Sequence, residues 1–423
     1  MLDIKYIREN LDRVKDACKN KQVKCDVDHL LEVDEKRRKL IQEVESLKSE
    51  KNKLGKDDRE KAKEFKNKIK ELEPELNEFQ KEFNELIYKI PNITDPEMPI
   101  GKNEDENVEI KKWGEIPKFD FKIKSHMELG VDLDIIDTKK AAEVSGSRFF
   151  YLKNEAVLLQ FAIVQFVLRT LTDKKIIEKI VKELDLDIST KAFSAMLPPV
   201  MIRDSVQKSI HRVFGDQTYC FKDEELNLVA SAEHTMAPYH MNEVINRKEL
   251  PLRYIGYSTA FRREAGTYGK DMSGILRTHQ FDKLEMESFT DVETGEDEQK
   301  LIVGIQEYLV QQLEIPYRLV HVCTGDTGGP DYNQFDIECW IPSQNKYRET
   351  HTSDYMTDYQ TRGIKSFYKD KDGTKKLLHT NDATAFAIGR ILIAIIENYQ
   401  QKDGSVEIPE VLKEYIGGIK KIG

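Results

Sequence analysis

Cysteine is scarce and poorly placed for a structural role. Cys18, Cys25, Cys220, Cys323 and Cys339 are odd in number and include no C-x-x-C pair. Neither a disulfide framework nor a zinc ribbon is expected, and a reducing cytosol is the simpler setting. The glycine-rich phosphate loops are missing as well: the chain has no G-x-x-x-x-G-K-[ST] and no G-x-G-x-x-G. If it handles ATP, arginines and a metal must do what a phosphate-cradling loop does elsewhere. No uncharged run reaches the roughly 20 apolar residues that a bilayer requires. The most apolar stretch, Ala156 to Leu171, is interrupted by Gln160, Gln165 and Arg169 and reads as a buried helix. Met1 to Val14 mixes acids and bases with no apolar segment, so it does not read as a signal peptide. Nor is there an excess of positive charge. With 66 Lys+Arg against 76 Asp+Glu the net charge is -10, which excludes a uniformly basic coat for nucleic acid but not a local basic surface. A cytoplasmic protein with no membrane partner is expected.

The 423 residues leave room for two or three domains of about 150 residues each, and periodicity divides them. Val33, Leu40, Val44, Leu47 and Leu54 fall on one ladder of alternating four- and three-residue steps, with Arg37 and Lys51 on two further rungs. After the break Gly55-Lys56-Asp57-Asp58, a second ladder runs through Phe65, Ile69, Leu72, Leu76, Phe79, Phe83, Leu86 and Ile90. A 3.5-residue repeat keeps a narrow apolar seam on one side of a helix. Two such seams joined by a short polar turn bury each other if the helices fold back antiparallel, giving a helical hairpin over about 29–90. Pro74 inside the second limb should kink it. Such a hairpin serves equally as a dimerisation element or as a projecting binding arm.

Pro91 to Pro117 has no regular period and reads as the linker. We set the domains at 1–103 and 104–423. Beyond the linker, strands are expected at Tyr254–Ser258, Phe281–Phe289 and Asp336–Ile341, and long helices at Ala156–Leu171 and Ala385–Tyr399, which makes the second domain α+β.

Three clusters there carry chemistry. The first is Ala260-Phe261-Arg262-Arg263-Glu264-Ala265-Gly266, followed after a glycine-containing loop by Arg277 to Glu285. On a strand, Arg262 and Glu264 would share one face, and Phe281, Lys283 and Glu285 would share one face of the returning strand. Cross-strand ion pairs on a solvated sheet would look similar. The second is Asp336-Ile337-Glu338 with Arg348-Glu349-Thr350-His351-Thr352, whose carboxylates and hydroxyls suit a hard cation such as Mg²⁺. The third is His379 to Arg390, where small and polar residues are expected to open a helix with Arg390 about one and a half turns in, facing an anion.

With these motifs in hand, the chain resembles the seryl-tRNA synthetases, class II aminoacyl-tRNA synthetases, along nearly its full length. The opening Met1-Leu2-Asp3-Ile4-Lys5-Tyr6-Ile7-Arg8-Glu9-Asn10 is similar to the family's start, and the hairpin to its tRNA-binding arm. Gly146 to Leu152 resembles the beginning of the catalytic domain, and Leu197-Pro198-Pro199-Val200 the end of motif 1. Phe261-Arg262-Arg263-Glu264 resembles the start of motif 2, and Ala387-Ile388-Gly389-Arg390 the close of motif 3. The tail from Glu397 to Leu412 is also close to the family pattern.

The resemblance implies a class II antiparallel β-sheet flanked by helices, and it implies roles. Arg262 would hold the ATP α-phosphate and the amino-acid carboxylate. Glu264 would meet the adenine amino group, Phe281 would stack on the ring, and Arg390 would clamp the γ-phosphate. Glu349 with Thr352 would bind Mg²⁺. Ser231 and Glu233 match the segment that receives the serine amino group. Glu285 and Thr384 align with serine-contacting residues, and Lys283 belongs to the same pocket. Arg262 and Arg390 would be the catalytic cations. The implied partners are L-serine, ATP and tRNA(Ser), with tRNA(Sec) as a conceivable second acceptor, and a second copy of the chain, because motif 1 belongs to the class II dimer interface. On the arm, Arg37, Arg38, Lys48 and Lys51 are candidates for tRNA phosphates. Departures stand beside these matches. Thr350-His351-Thr352-Ser353-Asp354-Tyr355 replaces a Ser-Ser-Cys-Ser-Asn run. Asp382 stands where asparagine is usual, free to bind Mg²⁺ or repel phosphate. Ala192 replaces a motif 1 glycine. Two rival readings are a ligase that loads a carrier protein and an inactive paralogue.

Overall fold

In the computed structural model, residues 1–55, 58–212, 215–265 and 274–423 are described. Lys56 and Asp57 of the expected turn, and Gly266 with the loop that follows it, lie outside the described residues. Contacts divide the chain into two units, one of Met1–Thr94 with Gly328–Pro330 and one of Asp95–Thr327 with Asp331–Gly423.

The first unit begins with two short helices, α1 (Ile4–Glu9) and α2 (Leu11–Asn20), and continues into α3 (Val27–Lys53) and α4 (Arg59–Tyr88). Asp26 caps α3 by accepting from the His29 amide. The long helices, about 40 and 45 Å at 1.5 Å per residue, are antiparallel: His29 meets Glu82, Arg37 meets Gln80 and Lys48 meets Glu73. Every apolar residue of the two expected ladders is buried or half-buried, whereas most of the residues between them are exposed. Pro74 lies within α4, which runs through it as one helix. Cys18 and Cys25, seven residues apart, are bonded to each other, while Cys220, Cys323 and Cys339 are free. The bond closes a local turn between α2 and α3, which the absence of a framework pattern did not lead us to expect.

The second unit is built on an eight-stranded sheet. Its strands are β1 (Val108–Trp113), β2 (Ser194–Met196), β3 (Leu252–Phe261), β4 (Gln280–Thr290), β5 (Tyr317–His321), β6 (Asn333–Ile341), β7 (Lys346–Thr357) and β8 (His379–Ala387). The spatial order is β1-β5-β6-β7-β8-β4-β3-β2. All neighbours are antiparallel except β2 and β3. Helices α5 (Asn154–Thr172), α6 (Gly295–Gln312) and α7 (Ile388–Asn398) pack on one face, where Leu284, Met286, Ile337, Cys339 and Phe386 join their apolar residues in one core. The chain is α+β, as expected, and the opposite face of the sheet carries polar side chains such as Lys283, Glu285 and Glu287 together with Phe281 and Phe289.

α5 reaches 19 residues and by length and composition could cross a membrane, longer than the interrupted run suggested. Its Leu159, Ile163, Phe166, Val167 and Leu171 are buried in the core. A second correction concerns His379 to Ala387. The expected helix start is a strand, and α7 begins only at Ile388, so Arg390 lies in its first turn. The strand is buried along most of its length between β7 and β4, and ladder pairing overrides the capping appearance of its small polar residues.

Candidate active site

Alternation along β4 sets Phe281, Lys283, Glu285 and Glu287 on the face away from the helices, while Leu284 and Met286 enter the core. Lys283 Nζ lies 2.6 Å from Glu285 Oε2, and Ser231 Oγ donates to the same oxygen at 3.1 Å. Lys283 Nζ also donates to Ser231 Oγ at 3.3 Å. Glu285 is fully buried, and its Oε1 has no hydrogen-bond partner among the described residues. Burial pushes its pKa up against the pull of Lys283. A buried acceptor with one oxygen unused is a site for a donor brought by a ligand.

Gly256 faces Glu285 across the β3–β4 pair. A Cβ at Gly256 would fall 2.3 Å from Met236 Sδ, so a bare backbone here lets the short helix Glu233–Met236 settle onto the sheet. That helix carries Glu233 into the pocket, where Arg212 Nε donates to its Oε1 at 2.6 Å and Gln360 Nε2 donates to the same oxygen at 2.7 Å. Burial would raise the Glu233 pKa, but Arg212, His234 and the hydrogen bond from Gln360 together outweigh it and hold the carboxyl below its ordinary range.

Two β-bulges complete the face. Glu338 pairs with Glu349 and Ile337 with His351, and the register shift between them turns Glu349 and Thr352 to the same side as Asp336 and Glu338. A second shift, between Thr384 and Phe386, keeps Thr384 on the site face while Phe386 enters the core. Gln306 of α6 braces both strands from behind, donating to the carbonyls of Thr352 at 2.7 Å and Thr384 at 2.8 Å. The two threonine hydroxyls lie 3.4 Å apart.

Arg262 and Glu264 lie just past the end of β3 rather than on it, and Glu264 has a left-handed backbone, φ 47°. The two therefore do not share a strand face as alternation suggested. The Arg262 guanidinium stands 5.3 Å from the centroid of the Phe281 ring, and its Nε donates to the Ala230 carbonyl at 3.2 Å. Burial and the nearby Arg390 charge lower its pKa. Glu264 is 3.7 Å from Arg277. Arg390 Nη1 donates to Glu349 Oε1 at 2.7 Å. Burial raises the Glu349 pKa, but Arg390, Arg262 and Arg277 together outweigh it and the net shift is downward. Arg277, Arg318, Asp336, Glu338, Glu349 and Arg390 line a cavity of about 520 Å³. It mixes guanidinium groups with carboxylates, as a polyphosphate with its cation requires.

Asp382 lies in a row with Glu287 and Asp354. It is buried and accepts from Arg212 Nη2 at 3.2 Å. His351 is turned to the core side, 5.1 Å from Phe386, away from the hydroxyl and carboxylate donors. On the arm, Arg37 donates to Asp34 and Gln80 and lies 3.9 Å from the Phe83 ring centroid. Lys48 is exposed, 3.6 Å from Glu73, Arg38 is exposed and Lys51 half-exposed.

Sequence reading missed Arg212, Gln360, Asp331, Asp354 and Glu287. They come from separate segments with no shared spacing: sheet register brings Asp354 and Glu287 beside Asp382, and the packing of loops and a helix brings Arg212, Asp331 and Gln360 to them. Asp354 pairs with Asp382, and Asp382 with Glu287, in one row across three strands.

Comparison with known proteins identifies the family. The description "Seryl-tRNA synthetase N-terminal domain" matches residues 1–94, and "tRNA synthetase class II core domain (G, H, P, S and T)" matches 219–399. The serine–tRNA ligase of Rubrobacter xylanophilus is 38% identical over 432 residues, covering 99% of this chain and 98% of the relative. Seryl-tRNA synthetase from Pyrococcus horikoshii, solved with ATP, aligns with a TM-score of 0.87 at 36% identity over 100% of this chain and 99% of that one. The cytoplasmic serine–tRNA ligase of Naegleria fowleri, solved with AMP, aligns with a TM-score of 0.84 at 28% identity over 100% and 98%. The two descriptions match in chain order and the relatives align from end to end, so the chain belongs to the seryl-tRNA synthetase family, the class II ligases that join serine to tRNA.

Proposed function

We propose that this chain activates L-serine with ATP in the cleft formed by Arg262, Phe281, Glu285 and Arg390, and then passes the seryl group to tRNA(Ser). The observation that carries the reading is Glu285, fully buried with Oε1 unused beside Lys283 and Ser231, on the face that also holds Phe281 and Thr384. In this reading Glu285 accepts the serine hydroxyl, Glu233 with Ser231 receives the ammonium, and Arg262 draws the carboxylate toward the α-phosphate. Phe281 supports the adenine ring and Glu264 meets its amino group. Arg390 takes the γ-phosphate.

The serine carboxylate oxygen attacks the α-phosphorus, the bond to the β-phosphate oxygen breaks, and pyrophosphate leaves. The terminal tRNA hydroxyl then attacks the acyl carbon and AMP departs. Neither step needs a side-chain nucleophile. The first gains from holding the reactants in line, and from cations placed where the phosphorane charge grows. Arg262 and Arg390 serve as those cations.

Mg²⁺ fits the donor set. Glu349 and Thr352 are hard oxygen ligands brought to one face by a bulge, and among the described residues no three acidic, His or Cys groups close on a point. That suits an ion bound by one carboxylate and completed by phosphate oxygens. When bound, it would neutralise phosphate charge. Val108, Ile110, Leu197 and Met201 are exposed apolar residues of the second unit, and Leu197 opens the Leu-Pro-Pro-Val segment that resembles the end of motif 1. They support a homodimer, and a cytoplasmic location is our reading of the sequence. Arg38, Lys48 and Lys51 support phosphate contacts by the arm, with Arg37 engaged inside it. The domain boundary remains our reading of 1–103 and 104–423, and charging of tRNA(Sec) is an open extension.

The test is ATP–pyrophosphate exchange across the amino acids, followed by charging of tRNA(Ser) transcript. Serine-specific exchange with charging is expected. Exchange without charging favours the carrier ligase, and neither activity favours the inactive paralogue.

A further inference from the structure

Arg212 belongs to none of the motifs that carry the family resemblance, yet it is the only arginine or lysine that touches Glu233 among the described residues. Nε donates to Glu233 Oε1 at 2.6 Å. Nη2 donates to Asp331 Oδ1 and Asp382 Oδ1, each at 3.2 Å, and Asp354 Oδ2 stands at 3.8 Å. The Arg212 side chain is 8% exposed, so all of this takes place away from bulk water. Gln360 Nε2 reaches the same Glu233 oxygen at 2.7 Å, and its own Oε1 accepts from Thr380 Oγ1 at 3.1 Å. Glu233 Oε1 is thus held twice and the carboxylate cannot rotate freely. Oε2 is left to the pocket.

Asp354, Asp382 and Glu287 lie directly opposite one another on β7, β8 and β4, so their carboxyls crowd one strip of the sheet. Among the described residues, both Glu287 oxygens and Asp354 Oδ1 are buried without a partner. Burial, reinforced by the neighbouring carboxyls, raises the pKa of Glu287 and Asp382 far above the ordinary range, while Glu233 is held below it. The single guanidinium therefore determines where negative charge settles: on Glu233, its closest carboxyl contact. Asp331 and Asp382, which accept from Nη2, brace the guanidinium from the side away from Glu233 Oε1.

We infer that Arg212 is a positioning residue for the amino-acid substrate, clamping Glu233 Oε1 so that Oε2 is presented to the α-ammonium of serine, with Asp382 as the acceptor that braces the guanidinium in the clamp. The inference rests on the proposed role of Glu233 as ammonium acceptor. Arg212 contacts no reacting atom in this scheme.

Serine and ATP KM and kcat are measured by ATP–pyrophosphate exchange on full-length protein for Glu233→Gln, Arg212→Lys, Arg212→Gln and Arg212→Gln/Asp382→Asn, alongside thermal melting. Loss of a charge-assisted hydrogen bond predicts a rise in serine KM of about 10- to 100-fold in Arg212→Gln, with ATP KM within about threefold. The double variant should recover part of the loss, because the uncompensated acid goes with the arginine. If Arg212→Gln does not fold, Arg212→Lys decides by the same split between the two KM values. An unchanged serine KM in Glu233→Gln overturns the Glu233 assignment and the inference with it. A raised serine KM there, with serine and ATP KM moving equally in the folded Arg212 variant or neither moving, overturns the inference alone. So does a double variant that recovers none of the serine KM lost in Arg212→Gln.

Discussion

Arg390 and Glu349 satisfy each other: a single guanidinium nitrogen, Nη1, donates to the Glu349 carbonyl at 2.9 Å and to its carboxylate at 2.7 Å. The proposed γ-phosphate clamp and the proposed metal ligand thus neutralise one another before either meets its substrate partner. ATP would bring an anion for Arg390 and Mg²⁺ a cation for Glu349. The pair would then exchange partners rather than expose two bare charges.

Arg390→Ala should lower kcat/KM for ATP by about 10²- to 10³-fold, the range for losing one preorganised charge-stabilising donor. Serine KM should stay within about threefold. Arg390→Lys should recover only part, since an ammonium lacks the planar fork. Exchange kinetics at varied ATP decide the matter, and an Arg390→Ala enzyme with normal ATP dependence would remove this residue from the phosphate site.

Glu285 predicts a selectivity change as well as a loss of rate. With one oxygen unused in a dry pocket, alanine would leave that acceptor unpaired. Sites of this kind reject the analogue lacking the hydroxyl by about 10⁴-fold or more. Glu285→Ala should cut serine-dependent exchange severely and bring the serine-to-alanine ratio of kcat/KM down by about 10²-fold or more. Threonine exclusion, which depends on shape, should change far less, because one methyl is worth only about 1–3 kcal/mol. A variant that keeps the wild-type preference for serine over alanine would count against the assignment.

Much of this was legible before any coordinates. The hairpin follows from a repeat in which Val33, Val44, Ile69 and Phe83 occupy the seam where the period puts them. Lys283 and Glu285 share a face because strand alternation requires it. Three things were not legible. The grouping of Glu349 with Thr352 depends on a bulge, and a period-two reading would send them to opposite faces. Arg37 sits on the apolar ladder, and it proves to be part of the seam, stacked on Phe83, rather than a free surface cation. The acidic row of Asp354, Asp382 and Glu287 depends on register among three strands drawn from distant segments, and local sequence does not encode register at that range.

The arm offers a separation between stability and binding. Arg37→Ala removes bonds to Asp34 and Gln80 and the stacking on Phe83, and should destabilise the helical pair by about 1–2 kcal/mol. Joint substitution of Arg38 and Lys51 by glutamine should leave the melting temperature nearly unchanged. It should weaken tRNA(Ser) binding and flatten its dependence on log salt by roughly one unit for each phosphate no longer neutralised. Binding titrations at several salt concentrations would show it. An unchanged salt slope would place the phosphates elsewhere.

His351 provides a test of acid sensitivity. It is fully buried, Nδ1 lies 2.8 Å from Thr350 Oγ1, and the ring packs against Phe386. Burial lowers its pKa from 6.5 to about 3, so the folded protein keeps the ring neutral where the unfolded chain would protonate it. The resulting stability is fully present above pH 6.5 and is lost as pH falls toward 3, at a slope approaching about 1.4 kcal/mol per pH unit. Other buried groups also contribute to the pH profile, including Glu287 and Asp382, whose raised pKa values act in the opposite sense. They are common to the wild type and to His351→Gln, so the difference between the two proteins isolates the histidine. Urea midpoints measured from pH 7.5 to pH 5 should converge as pH falls, with the wild type losing stability faster than the variant below about pH 6.5. Parallel profiles would mean that His351 takes up its proton in the folded state.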